Sequence, residues 1–409
     1  MLRLINLMSV VVAFSLGMSP TATAVGGEVS LPVDCLPDRV VDWQAAAPDP
    51  DLRFGAGQLP GIVLGPPGPS SGSTGATSVA SLGNGGSATL AFDDLVIENG
   101  PGPDFIVFEN AFFVGAPPAD EASDFFIFAE PATVEVSMDG VTWTAFSYDA
   151  AALAATAGGL VDRDLFARLR GLAGVTPTFT GNWTVPNDRE VWDGAGTGGV
   201  SGAGGDAFDL ADLGLTEVRF VRLTDTGSAN GPAGAGEGFD LDSVVVLHGR
   251  PLPPAGSDVD GDHLSDLAEQ NLYGTVASDN DSDGDGVDDG RELAGCRDPA
   301  STAVTPWVGP EPRLVAQGEG CTEFRWTYPG GGRTAGLLRG LVSAASPLPA
   351  MVDLGVVTCL AADLTINIWS CDGDAPPAGE AFFYLVVLNG GDLGWSSGLL
   401  PRAAAGSCP

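Results

Sequence analysis

The chain has 409 residues, with 53 acidic side chains against 17 basic ones and a formal net charge of −36. Every basic residue is Arg. The absence of Lys removes lysine nucleophiles and a phosphate-binding loop of the GK[ST] type, and two His cannot build a multi-His metal site. The charge argues against nucleic acid as a partner and against docking on anionic lipid, since both need basic patches.

The length suggests two or three domains, and 59 Gly with 31 Pro favour turns and short strands over long helices. Residues 1–24 read as a secretory signal peptide. Arg3 is the charged start, Leu7 to Met18 the apolar stretch, and Ala22-Thr23-Ala24 an A-x-A cleavage site. That stretch is too short to span a bilayer comfortably. No later segment is long and apolar enough to cross a membrane, so the mature chain is expected to be secreted or held at the cell surface. Six Cys at 35, 296, 321, 359, 371 and 408 read as disulfides in an exported chain. The expected pairs are Cys321–Cys408, joining the ends of the last module, and Cys359–Cys371, closing a short loop; Cys35 and Cys296 are left unassigned. Zinc suits these spacings poorly, because no CxxC pair occurs.

Residues 36–250 predict an all-β, jelly-roll-like sandwich. Ala88-Thr89-Leu90-Ala91-Phe92 is a strand opened by the turn Gly83-Asn84-Gly85-Gly86. Phe105-Ile106-Val107-Phe108 and Phe125-Phe126-Ile127-Phe128 are short apolar runs, as expected of strands buried on both faces. Val134, Val136 and Met138 alternate with Glu135 and Ser137. Asp139-Gly140 then predicts a two-residue turn into Val141-Thr142-Trp143-Thr144. Val218 to Leu223 and Val244 to Leu247 supply the last strands. Asp162 to Leu172 has helical spacing in Leu165, Phe166, Leu169 and Leu172, ended near Gly171, and reads as an insertion.

The segments "VEVSMDGVTWTAF" and "VRFVRLTD" resemble the paired strands of discoidin-like, galactose-binding-type jelly rolls. More specifically, "SLGNGGSATLAF", "NGPGPDFIVFENAFF", "GGDAFDLADLGL" and "GFDLDSVVVLHG" resemble an uncharacterised family of bacterial cell-surface proteins. The resemblance implies a β-sandwich in an exported protein, often beside calcium repeats.

Residues 251–256 (PLPPAG) read as a stiff linker. Residues 257–295 then hold 12 acidic residues in 39 positions. Asp258, Asp260, Asp262, Asp266 and Glu269 fall at positions 1, 3, 5, 9 and 12 of a loop, with the carbonyl of Leu264 at position 7. Asp281, Asp283, Asp285, Asp289 and Glu292 repeat that layout 23 residues later, with Val287 at position 7. Such a loop wraps Ca²⁺, which takes about 6–8 oxygen ligands. Gly286 at position 6 of the second loop permits a sharp turn, whereas the first loop has His263 there and Gly261 at position 4. "DSDGDGVDDGREL" resembles bacterial thrombospondin type 3 repeats and, more loosely, dockerin and EF-hand loops. The segment is expected to act as a calcium-stiffened strut between sandwiches, with Mg²⁺ the weaker alternative ion.

Residues 305–409 return to strands and turns: Phe324 to Tyr328, Leu337 to Gly340 and Phe382 to Asn389. About 100 residues in this layout suit an immunoglobulin-like sandwich. "LLRGLV", "VTCLAADLT" and "PPAGEAFFYLVVLNGG" resemble fibronectin type III-like modules of bacterial secreted proteins, although Gly390-Gly391 stands where relatives usually carry Cys. Tyr384 reads as a tyrosine-corner residue or as ordinary core.

Catalysis finds little footing. His263 lies inside an acidic loop and His248 at a strand end, and no His-Glu-x-x-His zinc helix occurs. A glycosidase needs only two carboxylates. Asp104, Glu109, Asp206, Asp240 and Asp242 are the candidates in the first sandwich, for a second calcium site, for sugar hydroxyls, or as a solvated strand face. Asp240 and Asp242, two apart on a strand, are expected to share one face. Trp143, Trp183 and Trp192 are candidates for stacking on sugar rings, with core packing the better reading for Trp143. The leading expectation is a non-catalytic calcium-binding protein that adheres to glycan or matrix. A purely structural envelope component and a carboxylate-dependent glycoside hydrolase are the alternatives.

Overall fold

The computed structural model describes residues 33–46, 54–68, 70–118, 123–156, 159–186, 202–227, 238–254 and 256–302, the side chains of 267, 271 and 272 excepted. Strands at 10–13 and between 312 and 389 are described by their backbone. The protein is mainly β, with antiparallel sheets and a few short helices.

Gly83 and Gly85 take φ of 65° and 77°, a region that L side chains rarely adopt, and so turn the chain into Ser87–Ala91. Ser87–Ala91 lies between Arg39–Gln44 and Phe220–Asp225. Ala132–Ser137 pairs on the far side of Phe220–Asp225, and Thr144–Ala145 and Leu172–Ala173 both pair with it. A second sheet runs in the order Asp206–Phe208, Phe105–Glu109, Asp240–Val246, Ala80–Ser81. Leu90, Val134, Val136, Val221 and Leu223 of the first sheet share one fully buried core with Phe105, Val107, Val244 and Val246 of the second. Two antiparallel sheets closed over a common core make a β-sandwich. Phe105 stacks on Phe208 at 5.2 Å and meets Phe146 edge-on at 6.0 Å. Burying each such ring contributes roughly 1.5–3 kcal/mol.

Three sequence expectations change here. The run Phe105 to Phe108 is buried on both faces, but Phe126–Phe128 is not, because Phe126 is 52% exposed. That strand pairs with Phe112–Phe113 and Leu160–Asp162 over a second small core of Phe113, Phe125, Ile127, Val161, Phe166 and Leu169. The expected helix is Arg163–Arg168, whose first turn is capped by the Asp162 carboxylate accepting from the Leu165 N–H; it packs onto this second core.

The expected two-residue hairpin is wider. Pairing resumes only at Thr144, opposite Val136. The Asp139 carboxylate accepts from the N–H groups of Val141 and Thr142 at 2.8 and 2.7 Å and so folds the loop on itself. This side-chain turn outcompetes the ladder for those donors. Those backbone bonds hold the Asp139 carboxyl down, at about 2. Trp143 is half-buried rather than in the core, with the Arg222 guanidinium over its ring at 4.0 Å.

The third difference concerns Asp240 and Asp242. Leu241 pairs with Glu109 and Ser243 with Phe108, so Asp242 is the extra residue of a bulge. The bulge gives the two carboxylates separate partners.

The acidic segment packs against the first sandwich. Leu264, Tyr273, Leu293, Ala294 and Cys296 belong to the sandwich core. Cys296 is bonded to Cys35, with Cα atoms 5.1 Å apart. The Tyr273 hydroxyl accepts from the Val33 N–H at 2.6 Å. Arg291 donates to Glu98 at 2.6 Å, and Gly249 lies so close to the Ala294 carbonyl that a Cβ there would be 2.6 Å from it.

Beyond residue 311, Pro312–Gly318, Cys321–Trp326 and Ile368–Asp372 form one antiparallel sheet. Thr334–Leu341 lies between Val357–Leu364 and Phe382–Asn389 in another, and Val10–Ala13 pairs with the outer edge of Phe382–Asn389. The pairings Cys321–Cys408 and Cys359–Cys371, and the side chain of Tyr384, lie outside the described residues. No described helix is long and apolar enough to cross a membrane.

Candidate metal centre

Three backbone-to-carboxylate bonds recur in both acidic loops. In the first, the Gly261 N–H donates to Asp258 at 2.7 Å, Leu264 N–H to Asp262 at 2.8 Å, and Val259 N–H to Asp266 at 2.9 Å. In the second, Gly284 N–H donates to Asp281, Val287 N–H to Asp285 and Ser282 N–H to Asp289, each at 2.9 Å. Ser265 caps Asp266–Ala268 and Asp288 caps Asp289–Ala294, again 23 positions apart. Gly261 and Gly284 take φ of 83° and 79°. His263 takes φ 73° where the second loop has Gly286 at 98°, so a non-glycine residue reproduces the turn. Its Nδ1 lies 2.8 Å from the Pro251 carbonyl oxygen, which pins it there.

The inward carboxylates come together. Asp258, Asp260 and Asp262 bring ligand atoms within 4.8 Å of one another, as do Asp281, Asp283 and Asp285. These groups can hold a metal ion. A third set crosses between loops: Asp262 and Glu269 of the first meet Asp289 of the second within the same 4.8 Å. Sequence spacing did not disclose this set, because it depends on how one loop folds over the other. Asp266 and Asp289, expected as position-9 ligands, also hold the second residue of their own loops through its N–H.

Several oxygens have no hydrogen-bond partner although buried: both of Asp260, Asp262 Oδ2, Glu269 Oε2, Asp283 Oδ2 and Glu292 Oε2. Burying an unpaired carboxylate oxygen is costly. Burial, and then the charges of neighbouring acids, push Asp262 and Glu269 up to about 7. Burial followed by the charges of Asp283, Asp285 and Asp289 pushes Glu292 to about 8. Asp289 is raised too, by burial first. The donors are all hard oxygens, the set that suits calcium, magnesium or manganese rather than zinc or copper.

The five candidates in the first sandwich divide. Asp104, fully buried, accepts from the N–H groups of Gly100 and Leu210 at 2.7 Å each, and His248 Nδ1 lies 3.1 Å away. Asp206 clamps Val175 and Thr176, accepting the Thr176 hydroxyl at 2.6 Å. Asp242 presents both oxygens to the Gly68 N–H at 3.1 and 2.9 Å. These three serve the backbone. Glu109 and Asp240 are brought together, with Glu130 beside them. Glu130 lies between Phe126–Phe128 and Ala132–Ser137 and carries no spacing signal of its own. Trp183 packs against the main core, and Trp192 lies outside the described residues.

No family model and no curated protein matches this chain. Among solved structures, the C-terminal domain of a chitobiase from Bacteroides fragilis is similar at 9% identity and a TM-score of 0.16, over 41% of this chain. The match spans 64% of that domain's length, and a likeness this slight carries no argument.

Proposed function

We propose that the chain is an exported calcium-binding protein of the cell surface or extracellular space, non-catalytic, with an adhesive role toward glycan or matrix. The observation that carries the calcium part is the repeated loop geometry with its buried, unpartnered carboxylate oxygens. Neutralising so many converging acids calls for a divalent cation, and calcium accepts irregular oxygen shells that magnesium resists. Extracellular modules often bind with dissociation constants of about 10⁻⁴–10⁻³ M, matched to calcium outside cells. The buried Cys35–Cys296 disulfide supports an oxidising compartment, as does the apolar start of the chain ending at Ala22-Thr23-Ala24.

Because the acidic segment shares the core of the first sandwich, calcium has a role beyond setting a spacing. It stabilises one flank of the domain that would present the adhesive surface. Asp104, Asp206 and Asp242 are engaged with backbone donors, which favours adhesion over the carboxylate hydrolase. A glycan array run with the full chain in millimolar calcium and in chelator tests the reading. Saturable, calcium-dependent binding supports it; identical blank arrays in both conditions would favour a structural envelope component instead.

A further inference from the structure

We propose that Glu109, Glu130 and Asp240 form a separate calcium site inside the first sandwich, independent of the acidic loops. Their exposures are 2%, 5% and 8%, and they bring one carboxylate oxygen each within 4.8 Å of the others. Two oxygens bound to one calcium at about 2.4 Å can be up to twice that distance apart, so each pair in this set is close enough to share an ion.

The site is built from both sheets. Glu109 ends Phe105–Glu109 and Asp240 begins its neighbour Asp240–Val246. Glu130 precedes Ala132–Ser137 of the facing sheet. Three consecutive N–H groups fix the approach: Gly238 donates to Glu130 Oε1 at 3.2 Å, Phe239 to Asp225 Oδ2 at 2.9 Å, and Asp240 to Glu109 Oε1 at 3.2 Å. Asn110 Nδ2 orients Asp240 by donating to Oδ2 at 2.8 Å.

Serving these backbone donors is the plainest role for the carboxylates, but it leaves Glu109 half-used. Its Oε2 is buried and has no hydrogen-bond partner. A Gln amide oxygen would accept the Asp240 N–H equally well, without a buried charge. With oxygen donors only and neither His nor Cys in the cluster, the ion is a hard one.

The test is calcium uptake by the full chain, measured by equilibrium dialysis at millimolar free calcium. Glu109→Gln and Glu130→Gln keep the hydrogen-bond acceptors and remove the charge. Each is expected to bind one ion fewer than the parent, or to bind it at least tenfold more weakly, while remaining folded in chelator. A chain carrying Asp260→Asn, Asp262→Asn, Asp283→Asn and Asp289→Asn, which disables all three acidic sets of the loops, is expected to retain this ion, which separates the site from the loops. Should the Gln variants fold poorly, retention in the loop-disabled chain decides. Parental uptake by both Gln variants, or no ion left in the loop-disabled chain, would overturn the proposal.

Discussion

Asp262 and Asp289, 27 positions apart and in different loops, bring carboxylate oxygens within 4.8 Å of each other, with Glu269 as the third member. Gly290 follows at once and lies against the Asp262 carbonyl. The two loops are therefore one electrostatic unit. Asp289→Asn is expected to weaken calcium binding at the first loop as well as the second. Calorimetric titration of Asp262→Asn, Asp289→Asn and the double variant should give non-additive losses, with a coupling of about 0.5–3 kcal/mol. Strictly additive losses would mean that the loops act alone.

Acidity should tune the same unit. Asp262 and Glu269 titrate at about 7 and Glu292 at about 8 in the metal-free fold, against about 4 in an unfolded chain. Raised carboxyl values mean that the folded state holds more protons than the unfolded one. Their stabilising contribution is full below about pH 4 and is lost as pH rises through 7 to 8. Calcium needs the deprotonated forms, so its effect runs the other way. The gap in Tm between calcium and chelator should widen from pH 5 to pH 8. Titrations near pH 7 in buffers of different ionisation enthalpy should show proton release on calcium uptake.

Close packing of the acidic segment on the sandwich makes Gly249 and Gly290 sensitive. A Cβ at Gly249 meets the Ala294 carbonyl at 2.6 Å, and one at Gly290 collides with the Asp262 carbonyl. Both partners are backbone and cannot move aside cheaply. Gly249→Ala and Gly290→Ala are each expected to cost about 1–3 kcal/mol of stability, as overpacking does, measured by denaturant unfolding. Gly102→Ala, where a Cβ meets nothing within 4 Å but φ is 84°, separates packing from backbone strain.

The Cys35–Cys296 bond closes 261 residues of chain. In the chain-entropy account so long a loop stabilises by on the order of 5 kcal/mol. The double variant Cys35→Ser with Cys296→Ser should unfold at a clearly lower temperature. Loss of the tether should also make residues 257–295 more susceptible to protease, and most so in chelator.

Much of this was legible in residues alone. Alternation at Val134 and Val136, and the run Phe105 to Phe108, place strands because burial pattern is local information. The spacing of Asp258 to Glu269 and Asp281 to Glu292 carried the loops for the same reason. What failed depended on competition or on distant partners. Asp139 took the donors of Val141 and Thr142 and opened the hairpin. A bulge at Asp242 separated it from Asp240. Glu130 and the set formed by Asp262, Glu269 and Asp289 appear only when sheets and loops are folded together. The packing of Leu264, Tyr273 and Leu293 on the sandwich was hidden because an acidic, glycine-rich composition reads as a separate spacer.

Direct binding of radioactive calcium to the full chain, at free concentrations from micromolar to millimolar, bears most closely on this account. The expectation is saturable, stoichiometric uptake that falls sharply when Asp260 and Asp283 are changed to Asn. Uptake no greater than that of an acidic control protein, or unchanged in that double variant, would contradict it.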